Sequence, residues 1–323
     1  MEQSPDCRFP DNPKIIYMGT PDFAVPALKS LFKEGYNILA VVTQPDRPKG
    51  RGRSLTCSPV KEVALEHGLR ILQPENINEH SFIDDLNAMN PDLFIVAAFG
   101  QILNQAVLAI PRYCAINIHA SLLPKYRGAA PIQWAILDNE PVTGITLMKM
   151  AKGLDKGPVL MKEEVTIKEH ETAGQLFDRL AELSGDVIVK FLRESAGKEL
   201  AGEPQNDAEA TYAAKISKET AEINWKEEAV KIASLIRAMD PSPGATTNLG
   251  DKKVKVFSPV VIDTEFISKK PGTLIVDNSG RFLIETGKGK IIIGEIQLPG
   301  KNRISTSDYL RGNKVENDTI LGS

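Results

Sequence analysis

Short apolar runs alternate with amphipathic stretches through the first half of the chain. The apolar runs predict strands over residues 14–18, 38–43, 70–72, 93–99, 115–118 and 145–150. The stretches between them have helix signals: Ser58 and Pro59 form an N-cap followed by proline at the first helical position, and Gly35 and Gly68 stand at C-terminal stops. Short buried strands that alternate with helices predict an α/β fold with a doubly wound, mostly parallel Rossmann-like sheet. Ligands bind such sheets beyond the carboxyl ends of the strands, so candidate site positions follow Met18, Thr43, Phe99 and Ile118.

The second half of the chain has a different pattern. A long amphipathic helix begins at Thr172, where Thr172 and Gln175 match a capping box. Residues 199–218 are polar and small without a sustained period, which is typical of a linker. Beyond them, one helix (228–239) precedes short strands at 254–257, 272–277, 282–285 and 290–295, which predict a small OB-like β-barrel. We therefore expect a loose tail (1–13), a first domain (14–198), the linker and a C-terminal β-barrel domain (219–323).

Composition and charge narrow the class of protein. A chain of 323 residues is long enough for two domains with substantial cores. Its longest apolar run, 93–99, has seven residues against the roughly 20 that a membrane-spanning helix needs, and the polar N-terminus lacks a secretory pattern. Because the net charge is −3, any nucleic acid must bind to a local basic patch of the surface. Three widely spaced cysteines form no C-x-x-C pair, which favours a reducing cytoplasm: Cys7, Cys57 and Cys114.

Two common kinds of site are not supported by the residues. Gly19 ends the first strand before a helix, but the segment GTPDFAVP lacks the second and third glycines of a dinucleotide-binding turn. His67, His80 and His170 stand in polar surroundings without the spacing of metal ligands. We expect neither a nicotinamide cofactor nor a metal.

The most informative stretch is NIHASLLPKYRGAAPIQWAI, which begins at Asn117. Asn117 and His119 lie two residues apart at the end of an apolar strand, so their side chains project to the same face. Together they can donate hydrogen bonds to one oxygen, as stabilisation of an oxyanion requires. Downstream, Asp155 lies in a glycine-bounded turn, where a carboxylate can orient an imidazole and take up a proton through a water molecule. Alone, His119 would more often be a core histidine and Asp155 a turn residue.

This stretch, followed by GLDKG, resembles the signature of the folate-dependent formyltransferase family. The resemblance implies that Asn117, His119 and Asp155 are a catalytic trio acting on 10-formyltetrahydrofolate. It also implies a folate-contacting loop made of Ser121, Leu122, Leu123 and Pro124. The segments GTPDFAVPAL, TQPDRPKGRGR and RAMDPSPGATT narrow the resemblance to members whose acceptor is methionyl initiator tRNA. It covers nearly the whole chain, so 14–198 would be the catalytic domain and 219–323 a tRNA-binding domain.

A basic loop lies between residues 44 and 61. Five basic residues stand there against one acid, Asp46, a net charge of +4: Arg47, Lys49, Arg51, Arg53 and Lys61. Basic loops punctuated by glycine can follow a phosphate backbone, although a solvated loop would have the same composition. The resemblance implies that this loop enters the acceptor end of the initiator tRNA, with Arg51 as the reader of its weak first pair.

Alternatives remain at this point. Lysines near the C-terminal strands could face RNA or only solvent, and the resemblance favours RNA. A relative with the same trio could formylate a small amine, such as an amino sugar or a purine precursor. A non-catalytic RNA-binding protein could keep the fold, although the intact trio argues against it. We expect a monomeric cytoplasmic enzyme.

Overall fold

The computed structural model of the protein describes residues 8–49, 54–265 and 268–322. These residues form two compact units. The first takes the chain up to Gly128 together with Thr143–Val165 and Phe177–Tyr212. The second takes Ala129–Val142, Thr166–Leu176 and the chain from Ala213 onward. The domain limits expected from the sequence, including the linker at 199–218, stay a prediction.

The elements up to residue 213 alternate as the sequence pattern predicts. The strands are β1 (Lys14–Gly19), β2 (Asn37–Val42), β3 (Arg47–Lys49), β4 (Ser54–Thr56), β5 (Ile71–Leu72), β6 (Leu93–Ala97), β7 (Cys114–His119), β8 (Arg127–Gly128), β9 (Val142–Lys149), β10 (Val159–Thr166) and β11 (Tyr212–Ala213). The helices are α1 (Val25–Lys33), α2 (Pro59–Glu66), α3 (His80–Ala88), α4 (Gln105–Leu108), α5 (Pro131–Leu137) and α6 (Ala173–Ser195). Short 3-10 turns cover Asp22–Ala24 and Asp207–Glu209.

The first unit is built on a seven-stranded sheet of order β10-β9-β7-β6-β1-β2-β5. Strand β1 pairs in parallel with β2 and β6, and β6 pairs in parallel with β7. Strand β9 runs antiparallel to β7. The predicted doubly wound, mostly parallel sheet is therefore confirmed. The pattern missed β10, because charged residues interrupt its apolar positions at Lys162, Glu163 and Glu164.

Close packing at the sheet explains the first glycine of the chain. A Cβ on Gly19 would lie 2.6 Å from the Ala24 Cβ and 3.1 Å from the Ala97 carbonyl oxygen. The turn from β1 into the next helix thus excludes any side chain, whatever ligand the protein binds. Strand β6 is buried along its whole length and ends at Ala97, two residues before its predicted end, since Ala98 has φ +45°.

The long helix α6 begins where the sequence predicts. The Thr172 amide donates to Gln175 Oε1 at 3.0 Å, and the Gln175 amide donates to Thr172 Oγ1 at 3.3 Å, which completes a capping box. Leu180, Val187 and Phe191 are buried as their helical spacing predicts.

The second unit contains an antiparallel sheet of order β12-β13-β16-β15-β14-β18, with β17 paired to β16. The strands are β12 (Ala245–Leu249), β13 (Lys252–Asp263), β14 (Thr273–Val276), β15 (Phe282–Glu285), β16 (Lys290–Gln297), β17 (Ile304–Ser305) and β18 (Thr319–Ile320), with helices α7 (Ala229–Met239) and α8 (Thr306–Gly312). The sheet is a curled half-barrel, in line with the predicted small barrel. Strand β13 is much longer than predicted because pairing with β16 continues past Ser258 to Asp263.

Membrane-spanning helices and metal sites are both absent from the part of the chain that the structure describes. No helix there is long and apolar enough to cross a membrane. No group of three or more histidine, cysteine, aspartate or glutamate side chains there has the arrangement of a metal site.

Candidate active site

The three predicted catalytic side chains meet at the carboxyl end of β7. Asn117 Nδ2 donates to Asp155 Oδ1 at 3.4 Å, and His119 Nδ1 lies 3.7 Å from Asp155 Oδ2. The His119 and Asp155 side chains are only 7% and 12% exposed, so water screens their interaction weakly. Asn117 is half-buried. The chain brings together residues that are 38 positions apart, because β9 returns antiparallel beside β7 and delivers the turn that holds Asp155.

The surroundings of His119 assign different tasks to its two ring nitrogens. Nε2 lies 2.9 Å from the Tyr126 carbonyl oxygen, which can only accept, so we assign the Nε2 proton to that bond. Nδ1 faces the Asp155 carboxylate. With Nε2 occupied, His119 donates a second hydrogen bond only when Nδ1 is also protonated.

The Asp155 turn has a constrained backbone. Asp155 has φ +50° and Gly153 has φ +110°, backbone conformations that residues other than glycine rarely adopt. A Cβ on Gly157 would lie 1.6 Å from the Lys149 carbonyl oxygen, so only glycine fits there. The Gly128 amide donates to Asp155 Oδ2 at 2.9 Å and thereby helps to fix the carboxylate.

The predicted folate loop follows directly after β7. Ser121 and Leu123 are fully buried, whereas Leu122 and Pro124 are half-buried. The Ser121 hydroxyl donates to the Lys125 carbonyl at 2.7 Å. The loop's two fully buried members thus hold its shape, and Leu122 and Pro124 keep accessible apolar surface.

Thr146 is a supporting residue that the sequence did not single out. It is buried on β9, where its hydroxyl accepts from the Leu123 amide at 3.1 Å and donates to the Ser121 carbonyl at 2.6 Å. The pairing of β7 with β9 places it opposite His119. No local motif signals this role, since the position only becomes significant through strand pairing.

A second unforeseen contact comes from the segment predicted as a linker. Buried Arg127 donates from Nη1 to Asp207 Oδ1 at 2.7 Å and from Nη2 to Gln205 Oε1 at 2.8 Å. Gln205 in turn donates to the Asp155 carbonyl at 2.8 Å. These residues of 199–218 therefore touch the site rather than only connecting two domains.

The residues that follow β1, β2 and β6 are joined by hydrogen bonds. Thr20 Oγ1 donates to the Phe99 carbonyl at 2.9 Å, and Gln44 Nε2 donates to the same oxygen at 3.2 Å. The ends of β1, β2 and β6 are thereby tied together at the edge where a doubly wound sheet binds its ligand.

Within the basic loop, β3 and β4 pair with each other as a small antiparallel hairpin. At its base, Lys61 Nζ donates to Asp46 Oδ2 at 2.6 Å and Gln73 Nε2 donates to Asp46 Oδ1 at 2.9 Å. These hydrogen bonds, that of Lys61 first, hold the pKa of Asp46 below its usual value. Lys61 therefore pairs with Asp46, the one acid of the loop. The net charge of +4 rests on the other four basic residues: Arg47, Lys49, Arg51 and Arg53.

The four basic residues predicted to bind tRNA are only partly described. Arg47 is exposed, with its guanidinium 3.9 Å from Glu75. The backbone of Lys49 belongs to β3. Arg51 and Arg53 lie outside the described residues.

Basic residues of the second unit fall into two groups. Arg303 and Lys290 are engaged internally: the Arg303 guanidinium lies 4.0 Å from the centre of the Phe257 ring and binds Asp240 at 2.9 Å, and Lys290 binds Glu285 at 3.1 Å. Three other lysines line a groove of about 380 Å³ between β12, β13 and the end of β16: Lys253, Lys255 and Lys301. Of these, Lys253 also pairs with Glu222 at 3.5 Å. Among the described residues that line this groove, none is acidic.

The fold and the site define a class of protein, a transferase with a buried histidine and carboxylate at the carboxyl edge of its parallel sheet. The chain belongs to the formyl transferase family: the family profile "Formyl transferase" matches residues 13–192, and "Formyl transferase, C-terminal domain" matches 215–314. A methionyl-tRNA formyltransferase of Alkaliphilus metalliredigens is 47% identical over 310 residues, which are 96% of this chain and 98% of that one.

Solved structures share the fold. Methionyl-tRNA formyltransferase from Clostridium thermocellum matches 85% of this chain and 99% of its own, with a TM-score of 0.55 and 20% identity. HypX from Aquifex aeolicus, in complex with tetrahydrofolic acid, matches 93% of this chain and 47% of its own, with a TM-score of 0.63 and 17% identity.

Proposed function

We propose that the protein transfers the formyl group of 10-formyltetrahydrofolate to the α-amine of methionyl initiator tRNA. The products are formylmethionyl-tRNA and tetrahydrofolate. The observation that carries the chemistry is the convergence of Asn117, His119 and Asp155 at the carboxyl end of β7. The choice of acceptor rests on the near full-length similarity to methionyl-tRNA formyltransferases. We place the reaction in the cytoplasm, with the protein acting as a monomer and without a metal.

The folate co-substrate supplies an activated formyl group. In the reaction the amine nitrogen forms a bond to the formyl carbon, and the bond from that carbon to the folate nitrogen breaks. One proton must leave the amine and one must reach the leaving nitrogen, so the proton balance closes within the site. Free α-amines titrate near 7.7 to 8.0, so deprotonation is part of the catalytic task.

Each member of the trio has a role that follows from its contacts. The Asn117 amide and His119 protonated at Nδ1 donate to the oxygen that becomes negative when the amine attacks. Asp155, facing Nδ1, favours this protonated form and helps to carry the amine's proton to the leaving nitrogen. The Tyr126 carbonyl keeps the imidazole ring in place through Nε2.

The loop after β7 fits a folate that lies beside the trio. A pteridine ring system needs a flat apolar wall and backbone hydrogen-bonding groups. Leu122 and Pro124 supply accessible apolar surface, while Ser121, Leu123 and Thr146 keep the loop rigid. We assign the folate-contacting loop to Ser121, Leu122, Leu123 and Pro124, with Leu122 and Pro124 as its accessible members and Ser121 and Leu123 as its buried support.

Two basic surfaces would meet the tRNA. On the first unit, the hairpin of β3 and β4 carries Arg47 and Lys49 and leads to Arg51 and Arg53, and we assign the reading of the acceptor end to this segment. On the second unit, we assign phosphate contacts to the groove of Lys253, Lys255 and Lys301. Phosphate contacts of this kind make binding steeply dependent on salt.

The test is formyl incorporation by the purified protein given 10-formyltetrahydrofolate. Acceptors would be methionyl initiator tRNA, the same tRNA uncharged, free methionine and a 3-amino sugar nucleotide. Incorporation into the charged tRNA alone supports the proposal. Incorporation into the sugar alone would move the protein to the small-amine branch, and folate binding without transfer to any acceptor would contradict an enzymatic role.

The tRNA surfaces have a separate test. Lys255→Glu combined with Lys301→Glu should raise the KM for tRNA and lower the salt dependence of binding, with kcat unchanged. The matched control is Lys314→Glu, an exposed lysine outside the groove. Equal effects of the two changes would remove the groove from the interface.

A further inference from the structure

Gln205 uses its whole side-chain amide to connect two parts of the site. Its Nε2 donates to the carbonyl oxygens of Asp155 at 2.8 Å and Gly157 at 2.7 Å. Its Oε1 accepts from Arg127 Nε at 3.1 Å and Nη2 at 2.8 Å. A primary amide has two donor hydrogens and an oxygen with two lone pairs, so every hydrogen-bonding position of this side chain is used. The amide orientation is therefore fixed from both ends.

Arg127 provides the rigid end of this connection. Its side chain is fully buried, and its third guanidinium nitrogen donates to Asp207 Oδ1 at 2.7 Å. The Arg127 hydrogen bond, followed by the charge of Lys156, lowers the pKa of the Asp207 carboxyl, which stays charged at neutral pH. A buried guanidinium with all of these partners has little freedom to move.

Strand β8 holds the turn that contains Asp155 through two sets of hydrogen bonds. The Gly128 amide of β8 binds the Asp155 carboxylate directly, and Arg127 of β8 binds the backbone of that turn through Gln205. Asp155 has a left-handed backbone with φ +50°, a conformation that residues other than glycine adopt only occasionally. Such a conformation persists only where the surroundings impose it. The two carbonyl contacts of Gln205 supply that constraint next to His119.

We propose that Gln205 is a positioning residue, which acts on formyl transfer by holding the Asp155 carboxylate at His119 Nδ1. The proposal rests on the proposed function of the trio. It places Gln205 outside contact with the reacting atoms, so its loss should lower kcat and leave substrate binding intact. A displacement of about 1 Å in a catalytic group can cost roughly 100-fold in rate.

Two variants and one control separate positioning from simple stability. Gln205→Met removes the amide at similar volume. Gln205→Glu keeps oxygens for Arg127 but removes the N–H donors to the turn. Asn206→Ala is the control, because among the described residues the hydrogen bonds of the Asn206 side chain stay at its own short 3-10 turn, with Ala208 and Glu209. Melting curves identify variants that are folded, and Gln205→Glu carries the test if Gln205→Met is unfolded.

We expect kcat to fall about 10- to 100-fold in both Gln205 variants, with KM values for folate and tRNA within about threefold of wild type and Asn206→Ala unchanged. In an Asp155→Asn background, Gln205→Glu should have little further effect, since the group it positions is gone. An unchanged kcat in a folded variant overturns the proposal. So does the same fold-change in both backgrounds, which is the result of a merely structural role.

A measurement without turnover keeps this proposal distinct from the choice of acceptor. The ring nitrogen resonances of His119, assigned by NMR, should change in Gln205→Glu and in Asp155→Asn but not in Asn206→Ala. Unchanged His119 resonances in Gln205→Glu overturn the positioning role. Failure of the wild type to formylate any acceptor would instead refute the proposed function.

Discussion

The charge on Asp155 gives the most direct test of the mechanism, and Asp155→Asn removes that charge at nearly constant side-chain shape. The asparagine oxygen can still accept from the Gly128 amide, but the asparagine nitrogen cannot accept from Asn117 Nδ2. The change removes the negative charge that faces His119 Nδ1 at 3.7 Å, together with the 3.4 Å hydrogen bond from Asn117. The substitution therefore tests whether that charge stabilises protonated His119 during formyl transfer.

The magnitude follows from the distance. Opposite unit charges 3.7 Å apart attract by about 4 kcal/mol at an effective dielectric constant of about 20. Little discount for solvent is needed, because both side chains are nearly buried. Since each 1.36 kcal/mol corresponds to a factor of ten, the full loss is about 1,000-fold in rate. We expect kcat to fall between about 100- and 1,000-fold, because part of the attraction already exists in the resting enzyme.

The assay is steady-state formylation of methionyl initiator tRNA, which gives kcat and KM. Single-turnover formylation with enzyme in excess then separates the chemical step from product release. Folate affinity, measured directly by equilibrium binding, should stay within about threefold. The control is Asp85→Asn, an exposed aspartate on α3, which should behave as wild type. A kcat for Asp155→Asn within about threefold of wild type would refute the role given to this carboxylate.

Three further changes test other parts of the molecule. Asn117→Ala removes one donor to the developing oxyanion and should lower kcat by roughly 100- to 1,000-fold in the same assay, with KM little changed. Thr146→Val leaves the Leu123 amide without its acceptor and should lower the free energy of unfolding by about 1 to 3 kcal/mol and weaken folate binding. Burial raises the pKa of Glu285, but hydrogen bonds from Ser268 and Lys290 outweigh burial and lower it. In chemical denaturation from pH 7 to pH 3, wild type should therefore lose its stability advantage over Glu285→Gln as the pH falls.

Each of these has a clear contrary result. Near-normal turnover in Asn117→Ala would remove it from the trio, and unchanged folate binding in Thr146→Val would separate the loop's shape from the co-substrate. A constant difference between wild type and Glu285→Gln across the whole pH range would mean that the charge of Glu285 contributes nothing to stability, since a lowered pKa requires that contribution to vanish below the folded-state value.

The sequence by itself predicted most elements of the first unit and the three side chains that meet at the end of β7. Strand and helix positions in the first unit follow from local periodicity, and the capping box at Thr172 marks the start of α6 to within a residue. Asn117 and His119 share a face because strand side chains alternate, which is a property of two neighbouring positions. The family resemblance, carried by contiguous motifs, was likewise local.

Only the tertiary structure decided which distant residues support the site and which charges are free. Gln205 lies 50 positions from Asp155, in a stretch whose composition resembles a linker, and no period of the sequence relates the two. Four basic residues lie in or beside the C-terminal strands: Arg303, Lys290, Lys301 and Lys255. The first two are bound internally, whereas the last two line a groove. Contacts of this kind form only when the strands of the sheet bring distant segments together. Because the residues involved are far apart in the chain, no local periodicity predicts them.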